Sequence, residues 1–181
     1  MKTQKLLRAI GFVAALMIAG VAQASVILTV NSRINSISGG VPADSDITLV
    51  EGQHFLITVD PAQMWNFNGG VPGYTVNADG MKDPAWDFAF KNPDSSTFHT
   101  TLGTLVGQIG TGTADAGNFF IIGTHFEGAA NASGKLNLFF WDNDAANNTG
   151  AVNALIDVPE PVSIALIGLG LAGLAYSRRR T

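Results

Sequence analysis

The residues best suited to chemistry lie close together near the end of the chain, in Trp141-Asp-Asn-Asp-Ala-Ala-Asn-Asn-Thr-Gly150. Six of these ten residues are Asp, Asn or Thr, all oxygen donors. A hard cation such as Ca²⁺ takes about six to eight oxygens from carboxylates, amides and backbone carbonyls. The spacing is not that of an EF-hand. Counting from Asp142, the third ligand position falls on Ala146, the required glycine on Asn147 and the closing glutamate on Asn153. A plainer reading stands beside the metal: Asp and Asn side chains bond their own backbone in turns, and an Asx-rich turn has the same composition.

Other groupings are weaker. His54, His99 and His125 are far apart and show no ligand spacing. Asp79, Asp83 and Asp87 are spaced like one face of a helix, but Gly80 and Pro84 interrupt them, so a solvated loop is expected. Neither a Gly-x-Ser-x-Gly elbow nor a phosphate loop is present. A glycosidase needs two carboxylates set across a cleft, which spacing alone does not reveal, and the expectation is a protein that is not an enzyme. With no cysteine in the chain, thiolate chemistry and disulfides are excluded. Asn131-Ala-Ser133 and Asn147-Asn-Thr149 match a glycosylation acceptor pattern, which is discounted on account of the chain's end, described below.

The elements that would position the loop read as strands. Val26–Val30, Ile47–Val50, Phe55–Val59, Trp86–Phe90, Thr104–Ile109, Asn118–Ile122, Lys135–Trp141 and Ala151–Ile156 are short and rich in β-branched or aromatic residues. Each is bounded by Gly, Asn, Asp or Pro. Glu51-Gly-Gln-His54 separates two of them with turn spacing. Phe55, Trp86, Phe120, Phe139 and Trp141 are candidate core aromatics, with sugar stacking the alternative role for any one of them. This pattern predicts an all-β domain, a β-sandwich, with the Asp142 loop joining its last two strands.

Four stretches in order resemble the calcium-dependent galactophilic lectin family of bacteria, a small jelly-roll sandwich. They are Leu105-Val-Gly-Gln-Ile-Gly110, Phe120-Ile-Ile-Gly123, Gly134-Lys-Leu-Asn-Leu138 and Asp142 to Gly150. Val50-Glu-Gly-Gln53, Ile57-Thr-Val59, Trp65 and Asn77-Ala-Asp-Gly80 fit its earlier half. The resemblance implies a jelly-roll-like fold and a Ca²⁺ ion that binds vicinal sugar hydroxyls. It implies Asp142, Asn147 and Asn148 as side-chain ligands, a carbonyl from Ala145 or Ala146, another from the loop after Trp65 at Asn68, and Asp144 as an extra ligand. Two departures stand out. Trp141 occupies a position that is polar in many members of the family, and Asp83-Pro84 is the nearest counterpart of its sugar-contacting His-Pro segment.

Both ends of the chain read as addresses. Lys2, Lys5 and Arg8 precede an apolar stretch from Ile10 to Val21, and Ala22-Gln-Ala24 is an A-x-A site. This predicts a signal peptide over residues 1–24, cut by signal peptidase after Ala24. At the other end, Pro159-Glu160-Pro161 breaks any helix or central strand. An uncharged apolar run follows, then Arg178, Arg179 and Arg180. That order is the pattern of a membrane segment with a basic cytoplasmic flank, expected over 162–177. It is short for a span of roughly 17–25 residues, a mismatch that bilayer thinning and arginine snorkelling can absorb. The stretch resembles the PEP-CTERM sorting signal of exported bacterial proteins. That implies recognition by an exosortase, a precursor held in the inner membrane and cleavage near Pro159-Glu160-Pro161.

Between the two signals, residues 25–157 keep four basic and thirteen acidic side chains, a net charge of −9 against −4 for the whole chain. Nucleic acid, which needs clustered Lys and Arg, is excluded as a partner; bound cations are compatible. The expected organisation is a signal peptide (1–24), a lectin-like β-sandwich (25–157) and a sorting signal (158–181). The expected role is a cell-surface or exopolysaccharide-matrix protein with a Ca²⁺-dependent carbohydrate site. The alternative is a ligandless structural matrix protein delivered by the same route.

Overall fold

The computed structural model describes residues 23–39, 41–91, 97–110, 119–159 and 170. The chain divides into two units, Ser25–Val158 and a second made of Met1–Ala24 with Pro159–Thr181. Among the described residues of Ser25–Val158 the regular structure is β, with two single-turn 3₁₀ segments.

Twelve strands are described. They are β1 (Gln23–Asn31), β2 (Ala43–Leu49), β3 (His54–Val59), β4 (Trp65–Asn66), β5 (Thr75–Val76), β6 (Asp87–Lys91), β7 (Thr97–Thr101), β8 (Leu105–Gly110), β9 (Phe119–Ile121), β10 (His125–Ala129), β11 (Gly134–Phe140) and β12 (Thr149–Pro159). One sheet runs β10-β3-β12-β4-β5, with β1 also paired to β12; a second runs β2-β11-β8-β9; β6 and β7 form a hairpin. Described pairings within the sheets are antiparallel.

Alternation along the strands builds the layers, because successive side chains point to opposite faces. Phe55, Ile57 and Val59 of β3 and Val152, Ala154 and Ile156 of β12 face Leu105 and Ile109 of β8 and Leu136, Leu138 and Phe140 of β11 in one core. The second sheet is covered on its other face too. Val106, Phe139 and Trp141 pack with Ile37 and Phe119, and Phe88 and Phe98 of the β6–β7 hairpin lie against them. The strand β11 is therefore buried on both sides, which explains a run as apolar as Leu136–Trp141. Gly107 on β8 faces Phe120 on β9 in register. A Cβ there would meet the Phe120 ring at 2.3 Å, so only glycine lets the ring lie across the strand.

The all-β sandwich and eight strand positions follow the sequence pattern. The turn at Glu51–Gly52 is also present, with Gly52 at φ +82°. The strands flanking it do not pair with each other, however: β2 joins β11, whereas β3 joins β10 and β12. Trp86, expected as a strand residue, closes a 3₁₀ turn, Pro84–Trp86, capped by the Asp83 side chain on Ala85 N–H at 2.9 Å. The strands β4, β5, β7 and β10 were not expected.

Candidate calcium and sugar site

The site is built where β11 ends. Trp141 is fully buried, donating its amide to the Thr104 carbonyl and accepting from Gly103 N–H, both at 2.9 Å. Its indole N–H donates to the Phe88 carbonyl at 3.0 Å. A residue so fixed holds the next one rigidly. Asp142 is only 2% exposed, and its backbone carbonyl accepts from Ser36 Oγ at 3.1 Å. Its carboxylate accepts from Asp144 N–H at 3.2 Å. Burial is the chief influence on this carboxyl and pushes its pKa above the ordinary carboxylate value. Hydrogen bonds from the Asn148 amide and from the Asp144 and Asn143 backbone oppose the shift, and the Asp144 charge adds to it.

Beyond Asp142 the chain makes a 3₁₀ turn, Ala145–Asn147. Asp144, largely exposed, caps it: one oxygen accepts from Ala146 N–H at 3.1 Å, the other from Asn147 Nδ2 at 3.0 Å. Asn148 N–H closes the turn on the Ala145 carbonyl at 3.4 Å. Asp144 therefore behaves as the Asx-turn reading expects. Asn147 and Asn148 do not. The Asn148 amide, in a side chain 2% exposed, donates to the Ser32 carbonyl at 3.1 Å. Its Oδ1, and that of Asn147, are buried and have no hydrogen-bond partner among the described residues. An unsatisfied buried acceptor costs about 1–3 kcal/mol, and carboxylate and amide oxygens are ligand types that a hard cation takes.

The loop after Trp65 completes the wall. The Trp65 indole, 1% exposed, donates to the Gly103 carbonyl at 2.8 Å and to that of Asn77 at 3.2 Å. The buried Asn66 then shapes the turn that follows, its Oδ1 accepting from Asn68 and Gly70 N–H at 2.7 and 2.9 Å. This turn bonds directly to the Asp142 loop through Gly69 N–H on the Asn147 carbonyl at 2.5 Å. The Asn68 carbonyl accepts from Val71 N–H at 2.9 Å, which leaves it a second lone pair.

A pocket of about 210 Å³ opens between the two loops, lined by Phe67, Asn68, Tyr74, Trp86, Leu102, Asp142, Asn143 and Asn147. The structure thus brings Asn68, Asp142 and Asn147 into one pocket, with Asn148 against Asp142 and with Asp144, Ala145 and Ala146 in the turn that supports them. Among the described residues no group of three His, Asp or Glu side chains gathers for a metal. The donors here are one buried carboxylate and amide oxygens. Sequence reasoning missed Asn66, Phe67 and Tyr74; Trp86 it named as a core aromatic with sugar stacking as the alternative, without placing it at this loop. The signal for Trp86 was the Asp83-Pro84 turn start two residues before it.

The remaining site residues lie elsewhere. His54, His99 and His125 are exposed, and His99 Nδ1 sits 2.8 Å from Asp87 Oδ2. Ala24 falls in β1 and Pro159 ends β12. Ala22, Glu160, Pro161, Arg178, Arg179, Arg180 and, apart from Gly170, the expected membrane segment 162–177 lie outside the described residues. Among the described residues no helix is long and apolar enough to cross a membrane.

Residues 157–180 match the PEP-CTERM protein-sorting motif. The chain therefore carries the signal that directs exosortase-targeted export. Among solved structures it is similar to the N-terminal domain of EclA, a PllA-like lectin, at 17% identity and a TM-score of 0.48, over 75% of this chain and 95% of that one. No curated protein matches the chain.

Proposed function

We propose that this is an exported, exosortase-processed protein of the cell surface or exopolysaccharide matrix, whose β-sandwich binds Ca²⁺ and, through it, a carbohydrate. The observation that carries the reading is the pair of buried, unpartnered amide oxygens of Asn147 and Asn148 beside the buried Asp142 carboxylate, next to a pocket. These residues fit the ion. Asp142 supplies the charge, Asn147 and Asn148 supply side-chain oxygens, and Asn68 with Ala145 or Ala146 supplies backbone carbonyls. When bound, the ion would offer open coordination positions to vicinal hydroxyls. The protein's own work is to hold the oxygens in place and to exclude water from one side through Trp141, Trp65 and Leu102. The reading is of a binding protein rather than an enzyme. Asp144 is engaged in capping its turn, and Asp142 is held by Asn148 and Asp144 N–H.

The second reading, a ligandless structural matrix protein, draws on those capping bonds, which account for Asp144 without a metal. Melting the full chain with calcium and without it separates the two. At calcium about a hundred times Kd, mass action adds about 2.7 kcal/mol to the folded state, a rise of several degrees in Tm. Asp142→Ala removes that response. Identical wild-type curves in the two conditions would end the calcium reading and leave the structural one.

A further inference from the structure

Phe67, Tyr74 and Trp86 come from separate stretches yet pack as one three-ring cluster. Phe67 meets Tyr74 at 5.4 Å and 85° between planes, and meets Trp86 at 5.8 Å and 62°; Tyr74 and Trp86 stand at 5.5 Å and 89°. Phe67 is buried and anchors the other two, which are half-buried. Trp86 is fixed through its backbone, donating to the Asp83 carbonyl at 3.1 Å and accepting from Leu102 N–H at 3.0 Å. All three rings line the pocket that also holds Asn68, Asp142 and Asn147. Neither the Trp86 indole N–H nor the Tyr74 hydroxyl bonds another described residue. A core role accounts for Phe67. It does not account for two half-buried amphipathic rings that line a polar pocket with their donor atoms open to solvent.

We infer that Trp86 and Tyr74 are the specificity-determining platform of this site, stacking the apolar C–H face of one uncharged sugar ring whose hydroxyls reach the calcium loop. The inference rests on the calcium reading above. Three features set the ligand class. The volume lies below the roughly 300–1,000 Å³ of pockets for drug-sized ligands, which suits a single ring rather than an enclosed oligosaccharide. The rings are 5.4–5.8 Å apart and pack on one another, so they leave faces for stacking rather than enclosing a cation as a cage would. Finally, Asp144 caps the turn that supports the site, on a domain of net charge −9, which disfavours uronates and sulfated sugars.

The test uses the full chain in a detergent without a sugar headgroup, titrated with calcium and then with methyl hexopyranosides and methyl hexuronosides. Trp65 and Trp141 are 1% and 0% exposed, so a sugar-dependent change in tryptophan emission reports Trp86. The expected result is calcium-dependent binding of an uncharged hexopyranoside that alters this emission. Trp86→Ala and Tyr74→Ala should weaken it about tenfold with calcium affinity unchanged, which also shows that the variants fold. Trp86→Phe, which keeps a ring, should recover most of the affinity. Calcium binding with sugar affinity untouched by Trp86→Ala overturns the platform and leaves the calcium reading standing. So does calcium binding with no hexopyranoside bound, or with uronosides preferred. A wild type that binds no calcium overturns the calcium reading itself, and the platform with it.

Discussion

At the scale of single residues, Asp142 makes opposite demands with and without an ion. Burial raises its folded pKa above the ordinary carboxylate value that it has in the unfolded chain. Between the two values the ion-free folded state binds more protons than the unfolded state, so its stability falls as pH rises through that window. With calcium bound the sign reverses. The ligand would be the carboxylate, so acid would expel the ion and stability would fall as pH drops. Residues 25–157 carry twelve other acidic side chains, and the difference between wild type and Asp142→Asn isolates this one. Melting temperatures across the acid range should show that difference sloping one way in calcium-free buffer and the other way in saturating calcium. Parallel slopes would mean that Asp142 holds no ion. The exposed pair Lys135 Nζ–Asp44 Oδ2, at 2.7 Å, lowers the Asp44 pKa chiefly through its hydrogen bond, but an ion pair so open to water adds little to stability.

At the scale of elements, the pocket depends on a turn that fixes two loops at once. Gly103 donates its amide to Trp141 and accepts the Trp65 indole, the residues that lead into the two walls. Its φ is +84°, and a Cβ would lie 2.5 Å from Val76 Cγ2. Gly103→Ala should therefore cost roughly 2–4 kcal/mol, from backbone strain and overpacking together, measured as a lower urea midpoint. A shift below about 0.5 kcal/mol, typical of surface changes, would show that the turn relaxes freely. The same elements explain what the sequence made legible. Lys135–Trp141 and Ala151–Ile156 are strands buried on both faces or alternating cleanly, so composition and period 2 reveal them. Trp65–Asn66 and Thr75–Val76 are two residues long and have no period to detect. His125–Ala129 is an edge strand whose faces alternate only between exposed and half-buried, which weakens its apolar signal. The donors of the Asp142 loop were legible because they are contiguous. The aromatic wall was not, because Phe67, Tyr74 and Trp86 meet only through the turns at Asn66 and Asp83.

At the scale of the whole molecule, charge is partitioned along the chain: six of the ten basic residues lie in the two terminal segments, and thirteen of the fourteen acidic ones lie between them. The matched sorting motif begins at Asp157, inside the last residues of β12, and β12 pairs with β1. Two side-chain bonds join those strands. Ser25 Oγ donates to Asp157 Oδ1, and Thr29 Oγ1 donates to Asn153 Oδ1 at 2.7 Å. Cleavage after Ala24 preserves both bonds, whereas a cut deeper into β1 would strip an edge from the larger sheet and expose β12. The mature chain should therefore start at Ser25 and end close to Pro159–Pro161. Intact mass of the extracellular protein measures both termini in one experiment. A mass that retained Arg178 to Arg180 would contradict exosortase processing, and one that began beyond Thr29 would contradict the role given to β1. Replacing Pro159 and Pro161 with Ala removes the rigid, extended step before the apolar run. That variant should accumulate in the inner membrane fraction with its arginines still attached.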